Sequence, residues 1–491
     1  MFVVDREDER SVTAQLVDAV RQAIEAGELV PGDRLPPTRA AAEQAGVNHL
    51  TAVRAYRRLA ELGFVSASVG RGTFVRSVPP PAAVESDGRW QHAVLPELRP
   101  SYVNEVVAET WRIPDDPDFI SMATGWASSE LHPVAELRRI ADQVLAEEGA
   151  GALAYNESDG LRGLREELAR RGRIAGFAEG ADEILVTSGA KQALELVARV
   201  ILRPGDVAVC EAPTFAGGLA SLQDTGARVL GVPWDEEGID LDALERILAR
   251  HEVKLVSLQT SSQNPTGRDL SPERGERLLR LARERSFFVL EDGVYATVRF
   301  AGGELPRLRS RAPDHVVYVD SLSKTIGGGL RLGWLAASGE VRRRLTTLKQ
   351  ATDVHTSVLV QHLALRWLAS GAHDRHVRRI NPIYARRAAA MLDAVRRRLG
   401  DELFPLEPNG GHHIWADFVR PLDERLLFSE ALRQGVSFTP GGATSPDAGA
   451  LSGLRLSFSL LDEEQIDEGV RRLATAVRAV RRAPGRSAAV S

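Results

Sequence analysis

Apolar positions between residues 11 and 76 recur first at helical spacing and then at strand spacing. Gln15, Leu16, Ala19, Val20 and Ile24 fall on one helical face. A turn-rich stretch from Gly27 to Pro36 follows. Thr38 stands where an N-cap would start a short helix over 39–45, and Gly46 breaks it. Asn48 can cap the next helix, 49–62, in which Tyr56 and Leu59 read as core. Phe64–Ser68 and Thr73–Arg76 flank Val69-Gly70-Arg71-Gly72, the pattern of a hairpin with a basic tip. Residues 77–117 lose the periodicity and carry Pro79, Pro80, Pro81, Pro96, Pro100, Pro114 and Pro117, a linker composition with a short helix near 101–111. From 118 onward apolar runs alternate with amphipathic stretches. Strands are predicted at 183–187, 206–211, 227–232, 254–260, 286–291, 315–320 and 332–337, with helices such as 190–202 and 272–285 between them. That alternation predicts an α/β domain with a largely parallel sheet covered on both faces. Strand-like pieces at 413–418 and 454–459 and a helix near 462–480 predict a smaller α+β lobe. The division expected is 1–77, a linker 78–117, a large domain 118–483, and a disordered tail 484–491.

At 491 residues the chain is long enough for more than one domain and a large core. A net charge of −5 gives no global polybasic signal. The single cysteine, Cys210, excludes an internal disulfide framework and, within Val-Ala-Val-Cys, reads as a buried thiol. The first ten residues hold no signal-peptide core, and no apolar stretch is long enough to span a bilayer. The expectation is a cytoplasmic protein without a membrane partner.

The strand predicted at 315–320 leads into Ser321, Ser323, Lys324, a glycine run and Arg331. A lysine amine there can condense with an aldehyde, while hydroxyls and a guanidinium hold a dianionic phosphate. Pyridoxal phosphate (PLP) needs this combination. Only Lys191, Lys254, Lys324 and Lys349 are lysines among 62 basic residues, so few amines compete for the role. Other strand ends carry complementary groups. Ser188-Gly189-Ala190-Lys191 opens a helix, where backbone amides can approach a phosphate. Phe215 offers a stacking face, and Asn264 an amide for a phenolic oxygen. Asp292 is a carboxylate that, if buried, needs a partner such as a protonated pyridine nitrogen.

In order, Ser-Gly-x-x-Gln, Pro-Thr-Phe, Asn-Pro-Thr-Gly, Asp-x-x-Tyr, Ser-x-Ser-Lys and Leu-Arg-Leu-Ser-Phe resemble fold-type I PLP enzymes of the aminotransferase class I/II family, over roughly residues 118–480. The resemblance implies that Lys324 is the catalytic lysine and forms the internal aldimine, that Asp292 pairs the pyridinium, and that Asn264 and Tyr295 bind the ring oxygen. It implies stacking by Phe215 and phosphate binding by Ser321, Ser323, Arg331 and the Gly189-Ala190-Lys191 turn. Arg455 matches the arginine that grips a substrate carboxylate, and Gly125 a glycine beside it. Tyr155 matches a tyrosine that reaches the phosphate from a partner subunit, which implies a homodimer. One departure is Ala190-Lys191, where relatives often carry a hydroxyl and a glutamine: Lys191 either compensates as a point charge or faces solvent. Of His412 and His413, adjacent on a predicted strand, at most one should face the site, and no metal role is expected.

Pro-Gly-Asp-Arg-Leu-Pro-Pro-Thr-Arg, Thr-Ala-Val-Arg-Ala-Tyr-Arg-Arg-Leu and Gly-Arg-Gly-Thr-Phe-Val resemble the GntR-type winged helix-turn-helix. The resemblance implies that the second helix of the motif enters the major groove of double-stranded DNA. Thr51 and Arg54 then reach DNA, with Arg39 on the backbone or a base edge and Arg71 in or near the minor groove. Asp5, Glu7, Asp8 and Glu9 leave the region near neutral, and Asn48-His49-Leu50 replaces the Ser-Arg-polar opening common in relatives. Leu50 there either reads a thymine methyl or packs. The two modules together resemble MocR-type transcriptional regulators. That implies a PLP-dependent DNA-binding regulator whose effector is an amino acid, an amine or PLP itself, sensed through aldimine chemistry at Lys324. The alternative is a working aminotransferase with a secondary DNA-binding domain.

Overall fold

The computed structural model describes residues 10–68, 72–76, 118–300, 305–447 and 451–482, together with Val4, Asp8, Val94 and Val106. The chain divides into two compact units, Met1–Arg99 and Pro100–Ser491. The expected linker, the short helix near 101–111, the hairpin tip with Arg71, and the tail lie outside the described residues apart from Val94 and Val106.

The first unit holds helices α1 (Val12–Glu25), α2 (Thr38–Ala45) and α3 (His49–Glu61), and a hairpin of β1 (Val65–Ser68) and β2 (Gly72–Val75). The Ser11 side chain accepts from Ala14 N at the start of α1. Leu16, Val20, Leu35, Ala55, Tyr56, Leu59, Val65 and Val75 form its core. Ala19 and Ile24, expected on the buried face of α1, are only partly covered, while Val17 and Ala23 are buried. Gly46 adopts φ +62°, the left-handed conformation that the tight turn between α2 and α3 requires. Asn48 then caps α3 by accepting from Leu50 N at 2.9 Å. Thr38 is not the cap expected: Pro37 holds that position, and the Thr38 hydroxyl lies 3.0 Å from His49 Nε2 instead. The hairpin pairs antiparallel, Val65 with Val75 and Ser68 with Gly72.

In the second unit, β4 (Ile184–Thr187), β5 (Val207–Ala212), β6 (Arg228–Asp235), β7 (Gly238–Ile239), β8 (Val253–Leu258), β9 (Phe288–Asp292), β10 (Val316–Ser321) and β11 (Gly333–Ala336) form one sheet in the order β4-β11-β10-β9-β8-β5-β6-β7. The run β10-β9-β8-β5-β6 is parallel. β11 runs antiparallel to both β10 and β4, because the segment joining β10 to β11 carries no crossover helix and returns the chain beside its own strand. That short segment carries Lys324. Buried residues on both faces, such as Val209, Val256 and Val289 on one and Leu255, Leu290 and Val319 on the other, explain the unbroken apolar runs.

A second sheet of β12 (Leu403–Pro405), β13 (His413–Phe418), β15 (Thr439–Pro440) and β16 (Gly453–Ser457) is antiparallel in the order β12-β13-β16-β15. The 28-residue helix Ala372–Leu399 and the helix Glu463–Arg482 cover it through Tyr384, Met391, Ile466 and Val470. A short parallel pair, β3 (Ile120–Ser121) with β14 (Val436–Ser437), ties the 118–125 segment into this lobe. Among the described residues no helix is long and apolar enough to cross a membrane.

Candidate cofactor and effector site

Lys324 is half-buried, and its Nζ donates to the Gly125 carbonyl at 2.9 Å and stands 5.2 Å from the centre of the Tyr295 ring. Burial is the main cause that lowers its pKa to about 8; Arg455 acts in the same direction and Asp292 opposes it. Asp292 closes β9 and is buried. Its Oδ2 accepts from Gln259 Nε2 at 2.8 Å and its Oδ1 from Val294 N at 3.1 Å. Burial raises its pKa to about 6 against those hydrogen bonds and the nearby lysine.

Gln259 follows β8 directly, and its side-chain oxygen also accepts from Asn264 N at 2.6 Å. Its own backbone N–H donates to Glu211 Oε1 at 2.9 Å, and Gln263 Nε2 donates to Glu211 Oε2 at 2.9 Å and to Pro213 O at 2.7 Å. One buried network therefore fixes the Phe215 turn, the Asn264 loop and Asp292 together. Sequence reading passed over Gln259, Gln263 and Glu211. A polar run after a strand reads as a solvated turn, whereas Gln259–Asn264 are all buried.

The phosphate-type cradle lies where β4 meets the helix Ala190–Ile201. Arg331 is exposed, holds φ +51°, and donates to Ser188 O at 3.0 Å. Its guanidinium crosses Gly189, where a Cβ would come within 2.8 Å of Nη2 at φ +94°. Ser321 ends β10, and its Oγ lies 3.4 Å from Ser323 N. Ala190 contributes its backbone at the helix start. Lys191 donates to Ser221 Oγ at 2.5 Å. Behind the turn, Asp353 accepts from Gln192 at 2.7 Å, from Ser188 Oγ at 3.3 Å and from the fully buried Lys349 at 2.7 Å, a support that sequence reading did not find.

Arg455 lies on β16 opposite Trp415 and Thr439. Its Nη1 donates to Asn264 Oδ1 at 3.0 Å, and its Nη2 to Thr439 Oγ1 at 2.9 Å and to the Ala123 carbonyl. Burial lowers its pKa. Both histidines reach the site, contrary to the expectation of one: each ring centre lies 5.4 Å from that of Tyr295. His413 opens β13, but His412 precedes it after the left-handed Gly411 (φ +85°), so strand alternation does not separate them. His412 Nδ1 donates to the Gly125 carbonyl at 3.3 Å, and burial lowers its pKa to about 3. Among the described residues, no group of histidine, cysteine and carboxylate side chains could hold a metal.

Among the described residues, Tyr295 Oη, Arg455 Nε and both His413 nitrogens are buried without a hydrogen-bond partner. Buried polar atoms left in this state call for a ligand or ordered water. Two of them flank Gly125, where a Cβ would stand 3.5 Å from His413 Nδ1 and 3.7 Å from Tyr295 Oη. A lysine amine, an orphaned phenol, a buried carboxylate, an arginine and a glycine-opened helix start fit a phosphorylated pyridine aldehyde and a carboxylate beside it. Phe215 is half-buried, with its ring under Gly217 of its own helix (Ala216–Gln223). Tyr155 is 88% exposed and meets His355 edge-on at 5.6 Å; among the described residues no contact joins it to Lys324.

In the first unit Arg39 and Arg54 are exposed and form no ion pair among the described residues, and Thr51 is partly exposed. Arg57 and Arg58 each pair with Glu61.

Residues 118–473 match the family model for aminotransferase class I and II, and residues 12–75 that for bacterial regulatory proteins, gntR family. The 2-aminoadipate transaminase of Thermus thermophilus is 36% identical over 376 residues, covering 76% of this chain and 93% of that protein. The probable rhizopine catabolism regulatory protein MocR of Rhizobium meliloti is 28% identical over 480 residues, covering 97% of this chain and 96% of that protein. Among solved structures, LysN, an α-aminoadipate aminotransferase of Thermus thermophilus complexed with N-(5'-phosphopyridoxyl)-L-leucine, superimposes with a TM-score of 0.71 at 34% identity, covering 80% of this chain and 98% of that one.

Proposed function

We propose, from the premise that this chain belongs to the aminotransferase class I and II family and carries a gntR-family regulatory segment ahead of it, that it binds double-stranded DNA as a homodimer and responds to a carboxylate-bearing amine at Lys324. The chain is a GntR-type regulator fused to a PLP aminotransferase domain, with residues 1–77 as the DNA module, 78–117 as linker and 118–483 as the sensor. A DNA ligand puts its work in the cytoplasm.

PLP, when bound, supplies an aldehyde that condenses with primary amines and a ring that withdraws electrons. The rest is done by the chain. Lys324 offers an amine that burial keeps largely neutral at a pH only slightly above 8, the form that attacks a carbonyl. Asp292, oriented by Gln259, holds the proton on the ring nitrogen. Asn264 and Tyr295 hold the ring oxygen, and Phe215 packs on the ring. The Gly189-Ala190-Lys191 turn, Ser321, Ser323 and Arg331 hold the phosphate, with Tyr155 arriving from the partner subunit. Arg455 takes the effector carboxylate by releasing Asn264 and Thr439, and Gly125 leaves room beside it. Those releases couple the effector to the small lobe that carries β15 and β16, which gives the ligand a way to bias the dimer's presentation of its DNA modules.

The observation that carries this reading is an exposed face on α3, whose Arg54 forms no ion pair among the described residues, in the same chain as the Lys324, Asp292 and Arg455 constellation. A plain transaminase has no use for that helix. The test is protection of the DNA upstream of its own coding region by PLP-loaded protein, with and without an amino-acid mixture. Protection that changes with the mixture supports the reading. No protection at low salt, with PLP confirmed on Lys324, moves the assignment to a transaminase. That second reading draws on the intact catalytic set and on the transaminase relative. Repeated cycles of amine and keto acid conversion would establish it.

A further inference from the structure

Leu50, Val53, Arg54 and Arg57 lie at i, i+3, i+4 and i+7 on α3 and so share one stripe of the helix. The opposite face, Ala52, Ala55, Tyr56 and Leu59, is buried in the core. Leu50 is 63% exposed and Val53 38%, and neither belongs to the core of this unit among the described residues. A single exposed leucine needs no explanation. Two aliphatic side chains on the outward stripe of the second helix of a helix-turn-helix, next to an arginine with no ion pair among the described residues, do. His49 does not fill the role of a base reader, because its Nε2 is engaged with the Thr38 hydroxyl at 3.0 Å.

We infer that this helix reads thymine, through contact of Leu50 and Val53 with C5-methyl groups in the major groove. The inference rests on the DNA-binding reading above and adds the base that is read. The thymine methyl is the apolar feature on the major-groove edge of a base pair. It lies beside phosphates that the adjacent Arg54 and the exposed Arg39 on α2 can neutralise. A wholly apolar protein surface would satisfy the aliphatic pair but leave both guanidiniums without an acceptor.

Full-length, PLP-loaded protein is used to select duplexes from a randomised pool, and the enriched duplex is then synthesised with thymine or with uracil. Uracil keeps every base pair and removes only the methyls. The expected result is tighter binding of the thymine duplex, by about fourfold for each methyl contacted. Leu50→Ala and Val53→Ala should each bring the thymine-to-uracil ratio towards one, a ratio taken within each variant so that a general loss of affinity cancels. A misfolded variant would lose both duplexes and is thereby recognised. Equal affinity of the wild-type protein for the two duplexes overturns the inference and leaves DNA binding intact, as does a ratio that survives both substitutions. Enrichment of no duplex overturns the DNA-binding reading and this one with it.

Discussion

At Lys324 burial and the neighbouring Arg455 both favour the neutral amine, and only Asp292 opposes them. The rate at which apoprotein takes up PLP should therefore rise with pH and level off above about 8, more than two units below a free lysine amine. Stopped-flow absorbance measures this directly, and a midpoint near 10 would contradict it. At Asp292 the sign is opposite. Burial raises its pKa to about 6, so below that pH the free protein holds a neutral carboxyl that cannot pair a pyridinium. PLP affinity should fall by up to about tenfold per unit as pH drops below 6. Asp292→Asn should bind weakly at every pH with that step gone. These two residues were legible in the sequence because each follows a long apolar strand and carries a group costly to bury. Gln259 was not legible: its role depends on Glu211 and Asp292 arriving from strands 48 and 33 residues away.

In the proposed reading the turn between β4 and its helix holds the phosphate. Gly189→Ala would drive a Cβ into the Arg331 guanidinium and force a side chain onto φ +94°. It should weaken PLP by roughly tenfold or more, at a cost of about 1–3 kcal/mol, and pyridoxal, which lacks the phosphate, much less; fluorescence titration of both ligands checks it. Gln259→Leu would orphan Asp292 Oδ2 and Asn264 N, a loss of about 1–3 kcal/mol visible as a lower Tm. Strands such as β4 and β11 were readable because they are buried on both faces and therefore almost continuously apolar. The 28-residue helix was not, since Pro382 sits inside it and sequence alone reads proline as a stop. Thr38 illustrates the reverse: a residue type suited to capping was drawn away by His49, a partner eleven residues on.

For the whole molecule the informative residue is Tyr155, which a single chain leaves almost bare. If it completes the partner's site, mixed dimers of Lys324→Ala and Tyr155→Ala chains should each contain one intact site and one doubly damaged site. Tight PLP binding should return to about half of the sites in a dimer population enriched for hybrids, while either variant alone stays weak. No recovery would assign each site to one chain. The two-module organisation was legible from motif order; a site shared between subunits rests on the resemblance at Tyr155 alone, because nothing in one chain's periodicity records its partner. The scarcity of lysine has a practical consequence at this scale. Lys349 is fully buried against Asp353, and Lys191 and Lys254 are tied to Ser221 and Glu252. An amine-selective label therefore meets few lysine sites, and Lys191 and Lys254, which are at least partly exposed, serve as internal controls for Lys324. The ratio of label at Lys324 to label at those two lysines then reads how much of the protein carries cofactor.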